Sequence, residues 1–420
     1  MHRFCWFIAL ASVLCGALPR SWRMYQNSPD HDAVFAGGSA PHRWQRDVGA
    51  KINGGLAVSA NRLFVETFAP SVAALDRRDG REIWDTPMPD VVMTTPIVAG
   101  GLVVVGTGRD GVLEETPRRT IWGRPQGDEI VALDERTGAV RWRYHTIGED
   151  MPSPALVDAR GRSAIVFANG DDHARALDVR SGRLLWSVRV DGVATMSSAN
   201  ASGGVVYVDA GPPASAHRPS HVYAFRAADG ARLWSAPYGN ADVSPVLGRD
   251  VVVVEDAQTG AAPGAGAFND VEALDAGSGR LRWSYRSPRG AFSRVGSSEE
   301  AVAGTIDRGV LLQSLPAASR FAAFDLESGR LLWSAPTRAA VKMSALAWHG
   351  RVFVGDTSGE WYVFDERSGR IVSRERFARP FTCSSPVIVG STLYVADWDE
   401  IYARPAKWTV SRTKREERRQ

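Results

Sequence analysis

Histidine and aspartate side chains that could hold a metal ion lie between positions 171 and 221. His173 directly follows Asp171 and Asp172, and His217 and His221 lie in a later loop. Imidazole together with carboxylate suits Zn²⁺ or another transition ion. No local spacing identifies a site, so the fold would have to bring the two segments together. The alternative is that these groups are simply solvated at the surface.

Three charged residues form a second candidate set. Asp242, Arg294 and Lys342 lie in similar Ser-containing segments that lead into apolar strands. If those strands converge on an axis, charges near the axis need partners or a ligand. We therefore expect these residues at a channel mouth, as a candidate cofactor or ligand site. Mutual ion pairing and solvation are the alternatives.

A repeated motif indicates the elements that must position these residues. The pattern apolar-Asp-x-x-x-Gly-x-x-x-Trp occurs seven times, with Arg226 replacing the Asp in the fourth copy and Ser373 the Trp in the last. The Asp starts a turn by accepting backbone N–H bonds, and the Gly supplies a positive φ. Alternating flanks make the motif a β-hairpin. The Trp therefore lies on the second strand of each hairpin.

Each repeat contains four strands, which we name A, B, C and D, and is typical of a propeller blade. The alternatives are a β-solenoid or a row of separate hairpins. Three strands follow the seventh motif, and an unpaired strand containing Trp44 precedes the first repeat. Pairing them completes an eighth blade. The prediction is an all-β, eight-bladed propeller over residues 43–408, closed by an N-terminal strand in the C-terminal blade.

Three long insertions indicate which face of the protein is the functional surface. Residues 107–128, 210–220 and 256–270 all connect strand B to strand C, and such loops share one face of a propeller with the segments that lead into strand A. Function concentrates in long loops on a rigid scaffold. The alternative is insertion drift on a tolerant surface. The turn at His173 and the loop of His217 and His221 are expected side by side on this face.

Composition narrows the class of protein. The 420 residues include 41 Gly and 14 Trp, with 44% hydrophobic and 23% charged residues. These values are close to the globular norm and exclude a disordered or fibrous chain. The net charge of +3 argues against nucleic acid as the main partner.

The two ends carry distinct segments. Residues 1–17 have the basic start, apolar run and small residues of a signal peptide, which predicts a periplasmic or cell-envelope protein. An uncleaved anchor or a lipid on Cys15 is the alternative. Residues 18–42 form an N-terminal extension, and 409–420 a basic tail, either solvated or in contact with anionic lipid or an acidic partner. Peripheral membrane association is compatible with this tail.

The hairpin motif resembles the pyrroloquinoline quinone (PQQ)-like repeat, and Trp22 opens a segment similar to the N-terminal one of that family. The resemblance extends from Trp22 to about Trp408. It implies that the Trp of one blade docks against the next blade as a clamp. The implied clamps are Trp44, Trp84, Trp142, Trp186, Trp234, Trp283 and Trp333.

The family includes quinoprotein dehydrogenases and the outer-membrane assembly lipoprotein BamB. The dehydrogenases carry PQQ with Ca²⁺, often adjacent cysteines, and large insertions, whereas this sequence has no adjacent cysteines and is shorter. We therefore expect a non-enzymatic binding or scaffold protein of the bacterial cell envelope, similar to BamB. It would be a monomer with a protein partner, no nucleic acid and no cofactor. The alternative is a PQQ-dependent dehydrogenase of alcohols or sugars.

Overall fold

A computed structural model describes residues 28, 33–35, 42–108, 128–146, 148, 150–194, 196–211, 220–259, 266–290 and 302–406. The expected signal peptide, the basic tail and most of the N-terminal extension lie outside these residues. The described part forms eight antiparallel four-stranded units, with one extra strand in the last. In the described residues, no helix is long and apolar enough to cross a membrane.

The first seven blades follow the chain in order. Blades I and II contain β3 (Ala57–Ser59), β4 (Arg62–Thr67), β5 (Ser71–Asp76), β6 (Glu82–Pro87), β7 (Ile97–Ala99), β8 (Leu102–Thr107), β9 (Glu129–Asp134) and β10 (Val140–His145). Blades III and IV contain β11 (Ala155–Asp158), β12 (Ser163–Ala168), β13 (His173–Asp178), β14 (Leu184–Arg189), β15 (Asn200–Ser202), β16 (Val205–Ala210), β17 (His221–Arg226) and β18 (Arg232–Ala236).

Blades V to VII repeat the same order of strands. They contain β19 (Val246–Leu247), β20 (Val251–Thr259), β21 (Ala267–Asp275), β22 (Leu281–Arg286), β23 (Thr305–Asp307), β24 (Val310–Leu315), β25 (Arg320–Asp325), β26 (Leu331–Pro336), β27 (Leu346–Trp348), β28 (Arg351–Gly355), β29 (Glu360–Asp365) and β30 (Ile371–Arg376). A short 3₁₀ helix, Pro316–Ala318, links β24 to β25.

Blade VIII joins the two ends of the chain, as predicted. Strands β31 (Val387–Val389), β32 (Thr392–Ala396) and β33 (Glu400–Pro405) are completed by β2 (Trp44–Asp47), which pairs antiparallel with β33. The sequence did not indicate a further strand, β1 (Val34–Phe35), which pairs parallel with the inner strand β31. Residues 33–35 therefore belong to the propeller and lie on the axis side of blade VIII, with Phe35 buried.

Six of the seven hairpin turns are formed by an Asp and a Gly, and the turn of blade IV has Arg226 in place of the Asp. In blade VI the carboxylate of Asp325 accepts hydrogen bonds from the backbone N–H of Ser328 at 2.9 Å and from its hydroxyl at 2.5 Å. The N–H of Gly329 donates to the Asp325 carbonyl at 2.9 Å, and Gly329 has a φ of 69°. An L-residue is strained at this φ, which explains the recurring glycine.

Each motif tryptophan contacts the turn of the following blade. Trp283 donates its indole N–H to the carbonyl of Leu326 at 2.9 Å, and its ring lies over Gly329. The same donation joins Trp44 to Arg77, Trp84 to Glu135, Trp142 to Val179, Trp186 to Ala227, Trp234 to Ala276 and Trp333 to Glu366. Trp84 and Trp186 are buried, and the other five are half-buried because strand D is the outermost strand.

The core lies between the faces of neighbouring blades. Phe321 of blade VI stacks on Phe364 of blade VII at 5.6 Å between ring centroids, and Trp333 lies 6.0 Å from Phe364. Burial of apolar area between sheets is the main stabilising contribution of such a ring. Cys383 is half-buried and forms no disulfide with a described residue.

Candidate functional site

The connections from D to A and from B to C form one face of the ring, which we call the insertion face. Three of its B-to-C connections span 108–128, 211–220 and 260–266, and the D-to-A connection from blade V to blade VI spans 287–304. The predicted third insertion is shorter than expected because β20 and β21 each extend to nine residues. The fourth connection, from blade V to blade VI, was not predicted as an insertion.

Hydroxyl groups link the inner strands from blade to blade just below this face. The N–H of Gly55 donates to Thr95 Oγ1 at 2.7 Å, and the N–H of Thr95 donates to Ser153 Oγ at 2.7 Å. The chain continues from Ser153 to Ser198 and from Ser198 to Ser244, each at 2.9 Å. These residues satisfy backbone groups where strands converge on the axis. Their role is to hold the ring together.

Carboxylates gather between blades IV and V under the insertion face. We call Asp209, Asp242, Asp256, Asp270 and Glu272 the acidic cluster. Asp256 and Asp270 lie directly opposite each other on β20 and β21, and Glu272 lies two residues further along β21. Arg286 pairs with Asp270 at 2.7 Å. Like charges directly opposite on a sheet are destabilising.

The connection between the two blades holds this cluster from the blade IV side. The N–H of Asn240 donates to Asp209 Oδ2 at 2.7 Å, and its side-chain amide donates to Asp256 Oδ1 at 3.0 Å. Two further carboxylate oxygens of the cluster, Asp209 Oδ1 and Glu272 Oε2, are buried and have no hydrogen-bond partner. A buried acceptor without a partner costs free energy that a ligand, water or proton can recover.

Burial and the proximity of the carboxyl groups to one another change the proton affinity of Glu272 and Asp209. Burial raises the pKa of Glu272 to about 8, with Asp270 and Asp256 adding to the shift and Arg286 opposing it. Burial also raises the pKa of Asp209 well above its usual range, and the nearby charges of Asp256, Asp242 and Glu272 raise it further. Desolvation disfavours the charged form of a carboxyl group. Both groups therefore have a raised affinity for protons, with which a bound cation would compete.

Buried acids recur at the fifth position of strand B, as Glu66 in blade I and Glu255 in blade V as well as Asp209 in blade IV. Glu66 accepts the backbone N–H groups of Asn53 and Gly54, and Glu255 accepts that of Val302 at 3.0 Å. Burial raises the pKa of Glu66 to about 8. Sequence reasoning missed this set, although an acidic residue closing an apolar strand, as in 63–66, was a readable signal. These acids cap the connections that lead into strand A.

The structure brings together one part of the predicted metal site. Asp171, Asp172 and His173 offer ligand atoms within 4.8 Å of one another. His173 Nδ1 lies 2.8 Å from Asp172 Oδ1 and 3.8 Å from Asp171 Oδ1. Both carboxylates also pair with arginines, Asp171 with Arg175 at 2.5 Å and Asp172 with Arg189 at 3.0 Å. An ion would have to compete with those guanidinium groups.

The other predicted site residues are spread more widely. His221 starts β17 on the insertion face, with its ring centroid 6.1 Å from that of Tyr223, and His217 lies outside the described residues. Asp242 and Lys342 lead into strands A of blades V and VII and so are separated by blade VI. Arg294 also lies outside the described residues. Strand A of blade VI begins only at Thr305, so 294–297 does not lead directly into it.

Comparisons with known proteins agree with this architecture. Residues 36–192 and 170–404 match a family profile described as outer membrane protein assembly factor BamB. The chain is 25% identical to a tetrathionate hydrolase of Acidithiobacillus ferrooxidans, over 96% of this chain and 89% of that protein. It is 24% identical to BamB of Yersinia pestis, over 84% and 74%.

A solved structure extends the comparison of the fold. The quinohemoprotein alcohol dehydrogenase of Comamonas testosteroni superposes with a TM-score of 0.68 at 11% identity, over 94% of this chain and 82% of that one. At this identity the likeness shows the fold alone. The family profile, in contrast, spans nearly the whole described propeller, and the chain therefore belongs to the BamB family of PQQ-like propellers.

Proposed function

We propose that the chain is an exported, non-enzymatic binding or scaffold protein of the bacterial cell envelope, which holds a protein partner on its insertion face. The observation that carries this proposal is the acidic cluster between blades IV and V, beneath the extended β20–β21 hairpin. Membership of the BamB family supports a role in assembly. A rigid ring with polar groups concentrated at one interblade seam suits recognition rather than transport of a substrate.

The chemistry of the cluster favours a basic segment of the partner. Asp209 Oδ1 and Glu272 Oε2 lack hydrogen-bond donors. A lysine or arginine side chain placed between them would supply donors and displace the protons that burial retains. Partner binding is then coupled to proton release. We expect tighter binding as the pH rises toward 8, and weaker binding in the Glu272→Gln variant.

The turn at 171–173 and the start of β17 at His221 belong to the same partner-facing surface in this proposal. We keep Asp171, Asp172 and His173 as a zinc site to be tested. The support is their mutual distance of at most 4.8 Å. Calorimetric titration with Zn²⁺ can distinguish a metal-binding role of these residues from a purely electrostatic role in partner binding, since the electrostatic role needs no ion.

The alternative cofactor, PQQ, does not fit the described channel mouth. PQQ is a flat tricarboxylate and needs several cationic groups or a bound metal ion to offset its charge. Among the described residues within four positions before each strand A, the charged side chains are Asp242 and Lys342 alone. A pocket lined by Glu255, Gln313 and several valines has no room for a cofactor. We therefore derive no chemistry through PQQ.

Site-specific photo-cross-linking tests the binding role. A photoreactive residue replaces Arg189, whose side chain is 75% exposed on the insertion face. The matched control replaces Arg280 on the opposite face. We expect a defined envelope protein attached at position 189 and not at 280. The proposal fails if no adduct forms at either position, or if purified protein with PQQ and Ca²⁺ oxidises alcohols or sugars with a dye acceptor.

A second function is favoured by the relative that spans 96% of the chain, a tetrathionate hydrolase. Glu272, protonated because burial raises its pKa to about 8, could act as a general acid toward the leaving group of a sulfur oxyanion. This role requires the acidic cluster to be protonated, since ionised carboxylates repel an anion. Loss of tetrathionate at acidic pH in wild type, abolished in Glu272→Gln, would establish hydrolysis. No loss at any pH would exclude it for this substrate.

A further inference from the structure

Exposed aliphatic side chains recur at one position of the ring. Of the nine large hydrophobic residues that are exposed in the described part of the chain, eight lie at the start of strand D in blades I to VII. Their exposed fractions range from 36% to 44%. They are Ile83, Val140, Leu184, Leu233, Leu281, Leu331, Leu332 and Ile371. Scattered apolar residues need no explanation, but a repeated position does.

Five of these residues, Val140, Leu184, Leu281, Leu331 and Ile371, share one register position and define a circle, and Ile83, Leu233 and Leu332 lie one residue further along strand D. Val140 pairs with Leu133 of its blade, Leu184 with Leu177, and Leu281 with Leu274. Equivalent register positions in successive blades lie at the same height along the ring axis. The circle runs around the outer rim, beside the C–D turns and on the face opposite the insertion face.

Arginines accompany the aliphatic residues. In five blades the residue after the motif glycine is an exposed arginine: Arg81, Arg183, Arg280, Arg330 and Arg370. Within the part of the chain that the structure describes, none of these five forms an ion pair within 4 Å. By contrast, Arg175, Arg189 and Arg286 near the insertion face all pair with aspartates. Together, the eight aliphatic residues and five arginines form what we call the rim belt.

We propose that the rim belt docks the propeller flat onto an anionic lipid surface. The turn carboxylates such as Asp325 lie on the same face, but the exposed arginines and apolar side chains of the rim belt match a planar surface that offers phosphates above a hydrocarbon layer. Each arginine near such a surface contributes an attraction that salt weakens. A compact protein partner could contact only a few blades at once. This inference goes beyond the proposed binding role and leaves the insertion face pointing away from the membrane.

Vesicle flotation with the full chain tests the proposal. The probes are vesicles of phosphatidylcholine alone and vesicles with about one third phosphatidylglycerol, at low and high salt. We expect binding to the anionic vesicles only, weakened by salt. The triple variant Arg280→Gln, Arg330→Gln, Arg370→Gln should bind roughly 100-fold more weakly, because each arginine accounts for about a fivefold change in affinity.

Two matched variants separate the rim belt from general charge. A control with Arg189→Gln, Arg338→Gln and Arg379→Gln loses the same charge from the insertion face and should bind as wild type does. A third variant, Leu281→Ser, Leu331→Ser, Ile371→Ser, keeps all charges and should bind about tenfold more weakly. Circular dichroism confirms folding of each variant. The proposal would be overturned if the triple arginine variant of the rim belt bound as strongly as the control variant. It would also be overturned if the wild type bound neutral and anionic vesicles equally.

Discussion

Replacing Gly329 by Ala tests how the tryptophan of one blade holds the next. A Cβ atom at position 329 would lie 2.5 Å from Cδ2 and 2.7 Å from Cε3 of Trp283. Carbon atoms pack best at about 3.5–4.0 Å, so the indole must move by about 1 Å. That movement strains the 2.9 Å hydrogen bond from Trp283 to the Leu326 carbonyl. Both effects destabilise the contact between blades V and VI.

The chain offers a control with the same backbone strain. Gly350 has a φ of 73°, close to the 69° of Gly329, but an added Cβ there would meet no atom within 4 Å. Gly350→Ala should therefore cost only the left-handed strain, about 1 kcal/mol. Gly329→Ala adds overpacking of about 1–3 kcal/mol and a weakened hydrogen bond of about 1 kcal/mol. The expected cost is about 3–5 kcal/mol.

Urea denaturation followed by circular dichroism measures both variants, with the slope m used to check that the transition is unchanged. In a Trp283→Ala background, Gly329→Ala should cost only about 1 kcal/mol, since the collision is gone. Equal destabilisation by Gly329→Ala and Gly350→Ala in the wild-type background would refute steric docking of the indole over the glycine. The tryptophan would then contribute through its hydrogen bond and buried area alone.

Further predictions concern closure of the ring, the pH dependence of stability, and zinc binding. Trp44→Ala should cost about 3–5 kcal/mol in urea denaturation, because it removes the indole that joins blade VIII to Arg77 of blade I. The pKa of Glu272 is raised to about 8 in the folded state, so its contribution to the free energy of unfolding should be full below about pH 4.5 and fall as the pH rises to 8. Glu272→Gln should flatten that slope, and an unchanged slope would contradict the assignment. Zinc titration calorimetry should give heat with wild type that is lost in His173→Ala, whereas no heat with wild type removes the metal site.

The repeat made most of the fold predictable, because each turn carries its own chemistry. An aspartate such as Asp325 and a glycine such as Gly329 are required locally, so seven hairpins could be placed without knowing their neighbours. The closing strand at Trp44 was predictable because an unpaired strand with a Trp precedes the first repeat and three strands follow the last motif. Strand β1 was not, since its two residues pair only with the distant β31 and contain no turn signal.

The candidate site was harder to predict because it depends on contacts between blades. Asp171, Asp172 and His173 are adjacent in the chain, so their proximity was readable. The acidic cluster combines Asp209 of blade IV with Glu272 of blade V, and nothing in the sequence marks them as neighbours. Arg294 lies outside the described residues, so its place at the channel mouth stays a prediction.

The joining of both chain ends in blade VIII also sets an order of events in folding. His42 donates its backbone N–H to the hydroxyl of Thr392, a contact that spans 350 residues. During synthesis the amino-terminal strands emerge first and wait without partners until β31 and β33 follow. Seven blades then exist as an arc with two open edges, the state most exposed to misassembly. Once blade VIII has formed, neither end of the chain can fray without breaking the pairing of the two ends in that blade. The lifetime of the native ring therefore depends on this one junction.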